Sequence, residues 1–144
     1  MEYENLLDTI YNKELTLIEA KTPSGIDGLL IDKVIIINKN LDSVSKKCIL
    51  AEEYAHFHLT SGDILDQRDM AKRKQEKKAR KFAYELLLPF SELLSAFEQG
   101  ITNIFDLADF FEVTIEFMAS AIEHYQQKHG MYFLERVKAL STIW

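Results

Sequence analysis

Between Cys48 and Leu59 the chain reads Cys-Ile-Leu-Ala-Glu-Glu-Tyr-Ala-His-Phe-His-Leu, and eight of these twelve residues are apolar. At helical spacing they fall on all sides of the cylinder rather than along one stripe, which is the pattern of a helix enclosed by its neighbours. Whatever this chain folds into must bury that helix on most flanks. The four exceptions, Glu52, Glu53, His56 and His58, therefore enter a largely dry environment, where an isolated carboxylate is costly unless a cation or hydrogen bonds compensate it. Fold and chemistry are thus constrained by the same segment.

The rest of the chain can supply the enclosure. Its 144 residues suit a single domain with one real core, with about 1–89 forming a sheet and helices and about 90–144 a helical tail. Hydrophobic residues at 47%, with only five Gly and two Pro, exclude disordered and low-complexity classes. A lone cysteine, Cys48, excludes an internal disulfide and a cysteine-based zinc site. The acidic start Met-Glu-Tyr-Glu and the lack of an apolar run of ~18 residues predict a cytoplasmic protein that does not enter a membrane.

Asn5–Tyr11 reads as a short amphipathic helix. The β-prone stretches around Leu15–Ala20, Gly28–Asp32 and Val34–Asn38 predict a small three-stranded antiparallel sheet. Helical periodicity then predicts helices over Ser45–Leu59, Met70–Leu88, Ser91–Gln99, Asn103–Phe111 and Ile115–Lys128, with Thr114 capping the last. The apolar tail Met131–Trp144 is expected to dock as a strand or irregular segment. The expected fold class is α+β, a small sheet packed on a mainly helical body.

Glu52 and His56 lie four residues apart, one turn apart on one face, with Glu53 about 100° round the helix. This is the layout of His-Glu-x-x-His, in which the outer residues hold zinc and the inner Glu is the general base, with Glu52 in the first ligand position. Glu-Glu-x-x-His also occurs on ordinary charged helix faces. A second acid adds weight: Glu76 extends the apolar stripe of Ala79, Phe82, Ala83, Leu86 and Leu87 on the following helix. Glu52, His56 and Glu76 would make three protein ligands around one ion, with a fourth position open for water. The alternative for Glu76 is a surface pair with Lys72 or Arg80 at four residues' distance.

These residues, with Gly28–Asn38, Leu50–His56, Thr60–Gln67 and Glu76-x-x-Ala-x-x-Phe-Ala-Tyr-Glu-Leu-Leu-Leu-Pro89, resemble the ImmA/IrrE family of metallo-endopeptidases, and particularly its phage and mobile-element members. The resemblance implies a zincin-like fold, Glu53 as general base, His56 as a zinc ligand and Glu76 as the downstream carboxylate ligand. Glu52 stands where the family usually has its first His, and Asp66 is the alternative ligand at that place. It further implies one Zn2+ as cofactor and a helix-turn-helix repressor as substrate, cleaved to derepress a phage or mobile element. A homologue that has lost catalysis and acts by binding the repressor is the second expectation. His58 is expected to be structural, and Tyr84, His124 and His129 qualify by type as oxyanion stabilisers.

Charge placement weighs against direct nucleic-acid binding. Asn103–Tyr125 has the outline of a helix-turn-helix, yet no Lys or Arg occurs from Pro89 to Gln127, where seven acids lie. The ten residues Lys72–Lys81 hold seven bases, but in an acidic protein and without interleaved aromatics. That stretch is expected to be a solvated helix face.

Overall fold

The computed structural model describes the backbone of residues 1–60 and 69–133 and the side chains of 1–59 and 74–133. It comprises α1 (Tyr3–Asn12), β1 (Thr16–Ala20), β2 (Gly28–Ile31), β3 (Val34–Asn38), α2 (Ser43–Thr60), α3 (Asp69–Leu87), α4 (Phe90–Glu98), α5 (Ile104–Phe111) and α6 (Ile115–His129). This is an α+β architecture. By contacts the chain divides into two compact units, one spanning Met1–Ala83 and one beginning at Tyr84.

In the first unit the sheet order is β1-β3-β2. β3 is the most apolar strand: it buries Ile35 and Ile37 on one face and half-buries Val34 and Ile36 on the other, so it takes the centre. β2 joins it antiparallel through the two-residue turn Asp32-Lys33, with Asp32 in the left-handed region at φ 53°. β1 pairs with β3 in parallel, Thr16 against Val34 and Ala20 against Asn38. The expected all-antiparallel sheet is thus corrected to a mixed one. The reason is connectivity: the chain from Lys21 to Asp27 passes across the end of the sheet, so β1 meets the central strand rather than its sequence neighbour β2.

α2 packs on β2 and β3. Asp42 caps it, its carboxylate accepting the Ser45 N–H at 2.8 Å, and that bond holds the Asp42 carboxyl below the usual range. Cys48, Leu50, Ala51, Tyr54 and Ala55 are buried, whereas His58 and Leu59 in the last turn are exposed. Enclosure all round therefore holds for the first part of the helix and ends before its last turn. The core of this unit also takes Leu6 and Ile10 of α1, Leu15, and Ala79 and Ala83 of α3.

The second unit is helical. Leu87, Leu88, Leu93, Leu107, Met118, Tyr125 and Phe133 are almost fully buried, and the Tyr125 hydroxyl donates to the Leu88 carbonyl. α5 and α6 form a pair: Asn103 caps α5, Glu112 in the left-handed conformation ends it, and Thr114 accepts the Phe117 N–H to start α6. Met131–Phe133 is helical, neither the strand nor the irregular segment expected there; the remainder of that tail, from 134, lies outside the described residues. Among the described residues no helix is long and apolar enough to cross a membrane.

Candidate active site

Two helices of the first unit present the site, and their seam can be followed residue by residue. On α2 the fully buried Ala51 and Ala55 separate two flanks, one carrying Tyr54 and His58, the other Glu52 and His56. On α3 the buried Ala79 and Ala83 likewise separate Phe82 from Glu76 and Arg80. The first pair of flanks meets directly: the Phe82 ring stacks on His58 at 4.5 Å and lies 6.2 Å from Tyr54. The second pair meets electrostatically, because the charges of both Glu76 and Arg80 act on His56 and that of Arg80 acts on Glu52.

Glu53 occupies a third direction, toward the sheet. It faces β2 at Gly28, where a methyl group added to the glycine would lie 3.1 Å from Glu53 Cγ, 3.2 Å from its Oε1 and 2.5 Å from Ile49 Cγ2. Only a residue without a side chain lets this strand and the Glu53 carboxylate come so close.

The electrostatics are those of a partly dry acidic site. Burial and then the neighbouring Glu52 push the Glu53 carboxyl up to about 7. Burial raises Glu52 too, and the Arg80 guanidinium partly offsets it. For His56 burial dominates and lowers its pKa, with Glu76 opposing and Arg80 reinforcing the shift. Burial thus disfavours the charged form of all three groups: the imidazole gives up its proton, and the two carboxylates hold theirs, more readily than in water.

By residue type alone, these donors are ones that ligate divalent cations. A doubly charged ion would favour the ionised form of both carboxylates, and burial favours the neutral imidazole that ligates metals. Glu52, Glu53 and His56 share one stretch of α2, and Glu76 is an exposed carboxylate on α3 whose charge reaches His56. Among the described residues no three His, Cys, Asp or Glu side chains converge as a group that holds a metal. Asp66, the alternative ligand, lies outside the described residues.

The other expected participants have local partners. His58 is held by its stack on Phe82, in keeping with a structural role. In the second unit His124 Nε2 lies 3.3 Å from the Glu85 carboxylate, which also accepts from Lys128 at 2.6 Å. His129 stacks on Phe90 at 3.9 Å, and Tyr84 meets Phe117 edge-on. Two participants do not stand out in the sequence: Gly28, and Arg80 as a charge that acts on α2. A glycine opening an otherwise apolar strand was the available signal for the first. Arg80 was visible as a neighbour of Glu76, but its placement beside α2 depends on the packing of the two helices.

A family model, Peptidase_M78, described as IrrE N-terminal-like domain, matches residues 13–123. The match takes in the sheet, α2, α3 and most of the helical second unit. No curated protein and no solved structure matches the chain.

Proposed function

The chain belongs to the IrrE N-terminal-like peptidase family, and from that premise we propose that it is a zinc-dependent endopeptidase of the cytoplasm that cuts a helix-turn-helix repressor at one site and so derepresses a phage or mobile element. The observation that carries this reading is the Glu53 carboxyl, raised to about 7 and set against the backbone of β2 at Gly28, one residue from Glu52 and three from His56.

Glu52 and His56 of α2 and Glu76 of α3 would hold the ion, with Asp66 the alternative to Glu52. When bound, zinc supplies Lewis acidity to a peptide carbonyl and acidity to an attacking water. Glu53 takes the proton of that water on its carboxylate and returns it to the leaving amine nitrogen as the C–N bond breaks. β2 ends the sheet order, so its outer edge offers backbone N–H and C=O groups to an extended substrate, which Gly28 brings close to Glu53. Two carboxylates and one imidazole would leave a bound divalent ion formally neutral, so it would supply weaker Lewis acidity than with two His and one Glu.

α6 exposes Glu116 and Glu123, whose negative charges repel phosphate, and carries no Lys or Arg before Lys128, so the repressor is contacted as protein and no nucleic acid is bound directly. The test is incubation with the repressor encoded beside this chain. Wild type gives one discrete cut, and Glu53→Gln gives none at unchanged zinc content; cutting that persists in the variant removes Glu53 as the base. Glu52 and the nearby charge of Arg80 favour a second reading, a repressor-binding protein without catalysis. Metal-free protein that binds the repressor and leaves it intact decides for that one.

A further inference from the structure

Two helix faces that the proposed reaction leaves unused carry opposite charge. On α3, Lys74, Lys77, Lys78 and Lys81 recur at three and four residues, which sets them in one stripe on the side away from the buried Ala79 and Ala83. All four are exposed, and none forms an ion pair among the described residues. Like charges at this spacing repel one another, so an anionic surface laid along the stripe is stabilising. The second unit offers such a surface. On α5 the exposed Asp106 and Asp109 lie between Phe105 and Phe110, and on α6 Glu116 and Glu123 share one exposed face. None of these four acids is ion-paired among the described residues, and Lys128 on α6 is already paired with Glu85. Glu116 and Glu123 are seven residues apart, as are Lys74 and Lys81, so each pair spans about 10 Å of helix. Phe105 and Phe110 are 60% and 52% exposed, apolar area that the aliphatic stems of lysines can cover while their ammonium groups meet the acids.

We propose that the chain self-associates head to tail: the lysine stripe of α3 on one copy docks on the acidic outer faces of α5 and α6 on a second copy. The occupant is the chain itself because one molecule carries both faces, opposite in charge and matched in spacing. The two faces differ, so the contact is heterologous, and every joined pair still presents one unused face of each kind. Assembly therefore runs past a dimer unless a ring closes. The inference does not depend on a metal at α2.

The test is sedimentation equilibrium of the full-length chain. At about 50 mM salt and about 100 μM protein the average mass should exceed the 16.7 kDa of one chain and rise with concentration, and about 500 mM salt should weaken association about tenfold or more. Reversing the stripe with Lys74→Glu, Lys78→Glu and Lys81→Glu should leave a monomer, as should reversing the acids with Asp109→Lys, Glu116→Lys and Glu123→Lys. An equimolar mixture of the two variants should associate again, a rescue that unfolding of either could not produce. If a reversal does unfold the chain, Gln at the same positions should weaken association about tenfold or more. Wild type that keeps the mass of one chain at low salt overturns the inference, as does association that neither reversal disturbs or a mixture of folded variants that stays monomeric. Monomeric wild type whose stripe captures duplex DNA or anionic vesicles gives the lysines a different partner and overturns self-docking.

Discussion

Gly28 and Glu53 are in contact across the boundary between strand and helix, and the contact has room for hydrogen but not for a methyl group: a Cβ at Gly28 would stand 3.2 Å from Glu53 Oε1 and 2.5 Å from Ile49 Cγ2. Gly28→Ala must therefore push β2 from α2 or turn Glu53 away. Overpacking of this kind costs about 1–3 kcal/mol. The thermal midpoint should fall by about 2–4 °C per kcal/mol in a chain of this size, and peptide hydrolysis should fall with it. An unchanged midpoint with full activity would show that the close approach has no consequence.

Glu53→Gln keeps the shape of the side chain and removes its ability to take a proton. The expected outcome is a loss of kcat of about 10²- to 10⁴-fold with zinc content unchanged, measured on the same preparation by metal analysis. Chelation of wild type should abolish cutting, and added zinc should restore it.

The two histidines of α2 separate cleanly. His56→Ala should lose zinc, because it removes the nitrogen ligand. His58→Ala should retain zinc and lose about 1 kcal/mol of stability, the worth of an aromatic stack such as that with Phe82 at 4.5 Å. Zinc lost in the His58 variant and kept in the His56 variant would exchange their roles.

Glu85 gives the second unit an acid limb. Burial works against its charged form, but hydrogen bonds from Lys128 and His124 outweigh that and hold its carboxyl below the ordinary 4.5. A carboxyl depressed in the folded state adds stability that is present above 4.5 and disappears as pH falls through the depressed value. Thermal midpoints measured from pH 6 downward should fall in wild type, and part of that fall should vanish in Glu85→Gln. Identical acid limbs would show that the pair to Lys128 and His124 is screened away.

The helices were legible because their apolar residues recur within a single segment: Leu6 and Ile10, Ala79 and Ala83, Leu107 and Phe111 all face inward as their spacing predicts. The β2–β3 hairpin was legible from the two residues between its strands. The partnership of β1 with β3 was not, because parallel pairing joins segments that no local pattern links and depends on which strand is apolar on both faces. Of the site, Glu52, Glu53 and His56 stood out as polar residues in a helix that ought to be enclosed. Gly28 and Arg80 did not, since a missing side chain and a flanking cation acquire meaning only when a second element lies against them.

β2 is four residues long. A guest chain laid along its outer edge finds ladder partners for only a few peptide units, too few to tell one polypeptide from another by main-chain pairing. Whatever selectivity the protein has must then come from contacts beyond that short rail. Shortening a substrate to the residues around its cut should cost recognition well before it costs chemistry.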